Sequence, residues 1–138
     1  MTIWHKLVPQ KEWNTAFAWK ENLDSGAILV FGSDWPIVPC DARTGIHHAV
    51  TRKPWFEGAK EQNLSLKQAI NAYTSGAALT DYSAKIKGKI EPGMLADIVI
   101  LTGDVHALQK EEAPSLDIRM TICNGKITHD NSTDTFAP

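Results

Sequence analysis

The order of apolar and polar positions in the first part of the chain predicts a helix followed by a buried strand. Apolar side chains recur at helical spacing through residues 11–23, and the Asp-Ser-Gly of residues 24–26 then ends the predicted helix. A continuous apolar run follows at residues 27–31 and leads through a glycine and a serine to Asp34. Such a run indicates a buried strand that ends in an exposed loop. A helix, a short turn and a strand make half of a βαβ unit.

Two more helices are predicted downstream of this strand. Residues 35–41 contain two prolines, so the chain leaves the strand in an irregular loop. A short helix is predicted for residues 44–53, where a proline follows and stops it. Ser65 and Gln68 match a capping box, in which each side chain satisfies a free backbone N–H at a helix start. This pattern predicts a regular helix that extends to Thr80.

The last third of the chain predicts β structure. A Pro-Gly turn at residues 92–93 precedes a predicted strand over residues 96–101. Asp97 interrupts the apolar run of this strand. A second acidic metal ligand is one interpretation of Asp97, but a hydrogen-bonded structural residue is favoured because a buried carboxylate needs partners. Residues 106–114 are polar and predict a loop.

A β-hairpin is predicted for residues 116–128. The Asn-Gly pair at residues 124–125 is the preferred sequence for a two-residue type I′ turn. That turn places Ile122 opposite Ile127, so one face of the hairpin is apolar. The polar residues 130–138 predict a frayed tail.

Asp34 is the first residue that the pattern singles out for chemistry. It follows the predicted strand, and in parallel α/β architectures catalytic groups lie at the carboxyl ends of strands. Aspartate and proline are also common turn formers, so Asp34 can simply begin the turn before Pro36. The pattern alone weighs these two interpretations about evenly.

His47 and His48 are adjacent on a predicted helix. Their side chains therefore point about 100° apart and cannot both ligate one metal ion. Contact with a substrate or a metal is one interpretation for either residue. A partly exposed helix face is the alternative and is favoured.

Two stretches resemble the final part of a metal-dependent amidohydrolase of the amidohydrolase 3 type. They are Gly-Ser-Asp-Trp-Pro at residues 32–36 and Glu-Pro-Gly-Met-Leu-Ala-Asp-Ile-Val-Ile-Leu at residues 91–101. The likeness runs from Pro9 to Asp130. It implies an α/β fold, namely the C-terminal fragment of a (β/α)8 metal-dependent hydrolase barrel plus strands of a small β-sandwich domain.

The resemblance also implies roles for particular residues. Asp34 would bind a divalent metal and carry the proton during hydrolysis. Trp35 would lie in a loop that contacts the substrate, and His47 and His48 are weaker candidates for substrate binding. The family's other metal ligands, a His-x-His pair, a central Lys or Glu and two later histidines, have no counterpart in this sequence.

Length and composition limit the remaining possibilities. The 138 residues fit one ordinary domain but fall short of the roughly 250 residues of a complete barrel, so a piece of a larger enzyme is expected. A net charge of −2 gives no indication of nucleic acid or an anionic membrane as partner. Cys40 and Cys123 show no metal-binding spacing, which fits a reduced compartment or simple burial. The sequence leaves the compartment undetermined, with the cytoplasm favoured.

These observations lead to one expected organisation and function. Residues 1–86 would be the last helix and strand units of the barrel, residues 87–130 the β-sandwich strands and hairpin, and residues 131–138 a tail. The expected activity is hydrolysis of C–N bonds in a small amide-like substrate. The full-length parent would use a divalent metal, with zinc as first candidate, while this fragment alone would hold none and be inactive.

Two partners and one alternative function complete the expectations. The partners are the missing N-terminal part of the same protein and, because strand edges are left exposed, a second copy of the chain in a homo-oligomer. The alternative is a regulatory or small-molecule-binding protein, such as a regulator of extracellular-enzyme production, that keeps the amidohydrolase fold.

Overall fold

A computed structural model describes residues 3–54, 56–110 and 116–131, with helices in the first part of the chain and a sheet in the last. The helices are α1 (Trp4–Leu7), α2 (Trp19–Asp24), α3 (Ala42–Thr51), α4 (Leu66–Tyr73) and α5 (Ser75–Thr80). The strands are β1 (Ile98–Leu101), β2 (Ile118–Cys123) and β3 (Lys126–Asp130). Short 3-10 helices cover Gln10–Thr15 and Val105–Gln109.

The single helix predicted over residues 11–23 is wrong, because the structure divides this stretch into a 3-10 helix and α2. The division lies at Phe17, whose φ of 52° is incompatible with a right-handed helix. The start of α2 is set from far away in the sequence. The side-chain oxygen of buried Gln62 accepts the backbone N–H groups of Lys20 at 2.9 Å and Glu21 at 3.1 Å. These are among the N–H groups that every helix start leaves without partners.

Residues 27–31 do not form the predicted buried strand. They are extended, but no strand pairs with them in the described part of the chain. Leu29 and Phe31 pack into the helical core, whereas Ile28 and Val30 are 62% and 40% exposed. Only one face of the apolar segment 27–31 is therefore packed in the core, and the other face is exposed to solvent.

Helix α3 confirms the helix predicted for residues 44–53, with a start two residues earlier. Its N-cap is Asp41, whose carboxylate accepts the backbone N–H of Arg43 at 3.0 Å. Such a cap satisfies one of the unpaired N–H groups of the first turn.

The predicted capping box is also confirmed, at the start of α4. The backbone N–H of Ser65 donates to the Gln68 side chain at 2.8 Å, and the N–H of Gln68 donates to the Ser65 hydroxyl at 3.3 Å. The uninterrupted helix to Thr80 is wrong, because Thr74 leaves the helical region at φ −120° and ψ −88°. Just beyond this break the extended segment passes so closely that a Cβ on Gly76 would lie 2.5 Å from the carbonyl oxygen of Leu29.

The three strands form an antiparallel sheet in the order β1-β2-β3. The predicted hairpin is confirmed, since Asn124 and Gly125 have φ values of 50° and 75° and Ile122 lies opposite Ile127. The structural interpretation of Asp97 is confirmed as well, because its carboxylate accepts the backbone N–H of Asn124 at 2.7 Å. β1 extends the hairpin to a third strand by pairing with β2.

The loop predicted for residues 106–114 is wrong in its first part, because the 3-10 helix Val105–Gln109 occupies it. Asp104 caps this helix by accepting the N–H of His106 at 2.9 Å, a local start signal. Residues 111–115, and the part of the predicted tail from residue 132 onward, lie outside the described residues.

Two small apolar clusters hold the elements together. Ala49, Leu64 and Ala69 form the first, and Leu66, Leu108 and Leu116 form the second. Ile46 of α3 packs against both clusters, so α3 and α4 connect the helical part to the sheet. No helix within the described ranges is long and apolar enough to cross a membrane.

Candidate functional site

Asp34 lies at the exposed end of the extended segment. Its φ of 49° turns the chain sharply, and its carbonyl oxygen accepts the N–H of Ile37 at 2.9 Å to close the turn. The side chain is exposed, and in the described part of the chain no group donates a hydrogen bond to its carboxylate. The turn is thus held by the backbone, which leaves the carboxylate of Asp34 available for chemistry.

Trp35 follows in the same turn and faces solvent. Its side chain is 69% exposed, and the neighbouring Ile37 is 76% exposed. Large exposed apolar side chains beside a carboxylate are typical of a surface that contacts a ligand or a partner.

His47 and His48 face in different directions, as their adjacency on a helix requires. His47 is buried, and its Nδ1 donates to the carbonyl oxygen of Leu108 at 3.1 Å. This bond ties α3 to the second 3-10 helix and gives His47 a packing role in this structure. His48 is exposed, its ring centroid lies 5.6 Å from that of His47, and it lines a cavity that His47 does not line.

That cavity, named here the polar cavity, has a volume of about 470 Å³ and lies between the loop after Ser33 and the first turns of α3. Its polar side chains are Ser33, Asp41, Thr44, His48 and Tyr73. Asp34 and Trp35 are not among the lining residues, but Ser33 adjoins Asp34 in the chain. His48 therefore lines the same cavity as Ser33, the residue before Asp34, whereas His47 does not line it.

Tyr73 also lines the polar cavity, although the sequence did not single it out. Its ring packs edge-on against Phe31, with centroids 5.6 Å apart, and its hydroxyl occupies the space that a Cβ on Gly45 would need. Burial raises the pKa of Tyr73, and the negative charge of Asp41 raises it further. Helical spacing in the sequence indicates only that Tyr73 lies on the packed face of α4. The space for its hydroxyl exists because the facing residue, Gly45, has no side chain.

Asp41 lines the polar cavity and forms an ion pair with Arg43, which is not among the lining residues of this cavity. The Arg43 guanidinium donates to both carboxylate oxygens of Asp41, at 2.9 Å and 3.1 Å. These hydrogen bonds lower the pKa of Asp41 below its ordinary value of 3.8. Arg43 also donates to the carbonyl oxygen of buried Leu116 at 2.5 Å. One arginine therefore links the cavity lining to the segment that enters β2.

A second cavity of about 770 Å³ lies between the helices and the sheet and shares part of this wall. Its lining is mostly apolar and includes Ile46, Ile70, Leu101 and Ile118, together with the charged side chains of Asp41 and Arg43. Five residues line both cavities, namely Pro39, Cys40, Asp41, Ala42 and Tyr73.

The described residues do not form a metal centre by themselves. Among them, no group of three or more His, Cys, Asp or Glu side chains is close enough together to hold an ion. A catalytic zinc typically needs three protein ligands, and Asp34 can supply one.

Comparison with known protein families gives a match over most of the chain. The family model described as "Amidohydrolase family" matches residues 3–129, which is nearly the whole chain. The chain therefore belongs to the amidohydrolase family, and the resemblance seen in residues 32–36 and 91–101 is confirmed.

Individual relatives agree with this assignment. The chain is 39% identical over 127 residues to YtcJ of Bacillus subtilis, whose name classes it provisionally as an amidohydrolase. It is 31% identical over 100 residues to the protein LONG AFTER FAR-RED 3 of Arabidopsis thaliana. These matches cover 86% and 70% of the chain, but only 23% and 17% of the two relatives, so the chain spans about a quarter of their length or less.

A solved structure shares the fold. It is the crystal structure of an amidohydrolase from Thermotoga maritima MSB8, with 22% sequence identity and a TM-score of 0.58. The match covers 79% of this chain and 24% of the Thermotoga chain. The arrangement of helices and a three-stranded antiparallel sheet is therefore one that this solved amidohydrolase contains.

Proposed function

We propose that this chain is the C-terminal part of a metal-dependent amidohydrolase that hydrolyses a C–N bond in a small amide-like substrate. The family match over residues 3–129 supports the hydrolase class. The observation that points to one residue is the exposed carboxylate of Asp34 at a backbone turn. Among the described residues, no group donates a hydrogen bond to this carboxylate.

Asp34 is the proposed catalytic residue. Hydrolysis of an amide needs a base that removes a proton from the attacking water and an acid that protonates the departing nitrogen. One carboxylate can do both in turn, because it accepts the proton in the first half of the reaction and returns it in the second. Exposure of Asp34 allows both transfers, whereas a carboxylate fixed in an ion pair would resist protonation.

The proposed metal needs ligands from outside the described residues. Asp34 is proposed as one ligand of a divalent ion, with zinc as first candidate, and the remainder of the longer protein would supply the others. On this proposal the isolated chain lacks metal and is inactive.

Trp35 and His48 are proposed to contact the substrate. Trp35 offers an exposed apolar surface directly after Asp34, and His48 lines the polar cavity. His47 is left out of this proposal because its ring is buried and bonded to Leu108.

The organisation expected for the longer protein remains part of the proposal. Residues 1–86 would belong to a (β/α)8 barrel, residues 87–130 to a small β-sandwich, and residues 131–138 to a tail. The extended segment supports this, because the exposed side chains of Ile28 and Val30 offer a face that neighbouring strands can cover. In the isolated chain a second copy would cover it instead, so a homo-oligomer is expected.

The experiment compares Asp34→Asn with Asp24→Asn in the longer protein, assayed on a panel of small N-acyl amides. Asp24 is an exposed aspartate paired with Lys20 on α2, so its loss controls for removing a surface carboxylate. Loss of a general acid and base lowers kcat/KM by about 10²–10⁴-fold. Unchanged hydrolysis by Asp34→Asn would contradict the role of Asp34. Robust hydrolysis by the isolated chain would contradict its proposed inactivity.

The regulatory or small-molecule-binding alternative is not favoured by the comparisons, because the family and the Bacillus relative are both named for hydrolysis. Absence of hydrolysis across the panel, in a protein that still binds the amides, would revive it.

A further inference from the structure

The turn between β2 and β3 carries a chemically labile pair of residues. Asn124 is followed by Gly125, whereas none of the other five asparagines in the chain precedes a glycine. Both turn residues are exposed. The turn needs this pair, because both of its central positions have positive φ. The same pair is prone to deamidation, because a glycine has no Cβ to shield its backbone nitrogen from the preceding asparagine side chain.

Deamidation at this position is a ring closure followed by hydrolysis. The backbone nitrogen of Gly125 loses its proton and attacks Cγ of Asn124, and the Cγ–Nδ2 bond breaks as ammonia leaves with that proton. Water then opens the cyclic imide at either carbonyl, which leaves aspartate or isoaspartate at position 124. The reaction therefore requires a Gly125 nitrogen that can lose its proton and reach the asparagine side chain.

The residues just before β1 hold that nitrogen in place. The backbone N–H of Gly125 donates to the carbonyl oxygen of Ala96 at 3.1 Å. The backbone N–H of Asn124 donates to the carboxylate of Asp97 at 2.7 Å. Two neighbouring acceptors thus bind two neighbouring donors of the turn. A hydrogen-bonded N–H is harder to deprotonate, and the paired bonds prevent the turn from rotating into a reactive geometry.

We propose that Asn124 is a site of spontaneous deamidation and that Asp97 is a positioning residue that suppresses the reaction by clamping the turn to the segment before β1. Modification takes place when this clamp opens locally, without unfolding of the rest of the chain. The inference is independent of the proposed function, because it concerns only the hairpin.

The modification has a structural consequence. Isoaspartate adds a methylene to the main chain, and a two-residue turn with an extra backbone atom no longer places Cys123 opposite Lys126. Deamidation at Asn124 therefore unpairs the turn end of β2 and β3. The clamp at Asp97 protects the register of the sheet as well as one side chain.

The test follows deamidation of this chain during incubation at mildly alkaline pH, by mass spectrometry of the tryptic peptide 120–126. Asn124 is the only asparagine in this peptide, so its gain in mass reports this site alone. We expect Asp97→Ala to deamidate about threefold to tenfold faster than the unaltered chain, which is the change in local opening that loss of one hydrogen bond produces. Asp97→Asn keeps an acceptor oxygen and should stay closer to the unaltered chain than to Asp97→Ala.

Two controls separate the clamp from general instability. Ser65→Ala weakens α4, far from the hairpin in sequence, and should deamidate at Asn124 as slowly as the unaltered chain. In concentrated urea, where no clamp exists, Asn124 should be the first asparagine of the unaltered chain to deamidate and should do so faster than in the folded chain. Circular dichroism verifies that the variants are folded in buffer.

Three results would overturn the proposal. The first is an unchanged rate in folded Asp97→Ala. The second is equal acceleration by Ser65→Ala and Asp97→Ala, since deamidation would then follow global unfolding. The third is a rate in urea at Asn124 that does not exceed the rates at the other asparagines.

Discussion

Replacing Arg43 with methionine tests how the candidate site is attached to the sheet. Arg43 holds the N-cap Asp41 of α3 through two hydrogen bonds and the segment before β2 through the Leu116 carbonyl. Methionine keeps much of the apolar stem but removes every donor. The substitution therefore separates the role of the guanidinium from that of side-chain packing.

The expected loss of stability follows from the groups that lose a hydrogen-bond partner when Arg43 is replaced. A hydrogen bond to a charged group contributes about 1.5–3 kcal/mol to stability, and a buried carbonyl without a partner costs about 1–3 kcal/mol. The Arg43 and Asp41 side chains are 29% and 31% exposed, so water compensates for part of the loss. We expect Arg43→Met to lower the free energy of unfolding by about 2 kcal/mol. The N-cap bond from Asp41 to the backbone N–H of residue 43 remains.

Urea denaturation at several pH values is the assay, with Lys67→Met as control. Lys67 is exposed on α4, and loss of such a side chain changes stability by about 0.5 kcal/mol or less. Arg43 lowers the pKa of folded Asp41 below 3.8. The stability that the Asp41–Arg43 pair contributes is therefore present above pH 3.8 and is lost as the pH falls through the lowered pKa of Asp41. The stability difference between Arg43→Met and the unaltered chain should thus shrink in acid.

Two outcomes would refute this reasoning. One is a free energy of unfolding for Arg43→Met that equals that of Lys67→Met at neutral pH. The other is a difference from the unaltered chain that does not decrease between neutral pH and acid, since the pKa of Asp41 would then not depend on Arg43.

Two further predictions concern helix starts, and both are measured by urea denaturation. Gln62→Ala should lower the free energy of unfolding by about 1 kcal/mol, because it leaves the partly buried N–H groups of Lys20 and Glu21 without their side-chain acceptor. A loss below about 0.5 kcal/mol would contradict the long-range cap. Ser65→Ala should lower it by about 1 kcal/mol through loss of the capping box, and an unchanged midpoint would show that the box contributes nothing.

Local chemistry accounts for the elements that could be predicted from the sequence. The capping box at Ser65 and Gln68 involves residues three apart, and the Asn-Gly turn at residues 124–125 determines the pairing of the hairpin by itself. In both cases the partners of the backbone groups are close in sequence. A pattern of residue types is then enough to predict the element and its register.

Contacts between distant residues account for the errors. The start of α2 depends on Gln62, which is 42 positions from Lys20, so helical spacing alone could not place it. The end of α4 lies where the extended segment passes close to Gly76. Residues 27–31 read as fully buried because an apolar run does not reveal whether neighbouring strands are present to cover its second face.

The residues of the candidate site also fall into two groups, those that the sequence could identify and those that depend on contacts between distant residues. Asp34 could be singled out from the sequence, because a residue at the end of an apolar run has a recognisable position. The adjacency of His47 and His48 showed that they face differently, but not which of them lines the cavity. That choice depends on Leu108, which lies 61 positions away and binds His47. Tyr73 was missed because its spacing on α4 is that of a packing residue.

The most direct test of the central claim is the metal content of the longer protein, measured by elemental analysis beside the isolated chain. Asp34→Asn and the control Asp24→Asn are measured in the same way. We predict a stoichiometric divalent ion in the longer protein and in Asp24→Asn, less of it in Asp34→Asn, and none in the isolated chain. A longer protein without metal, or one whose metal content is unaffected by Asp34→Asn, would contradict the claim that Asp34 belongs to a metal-dependent hydrolase site.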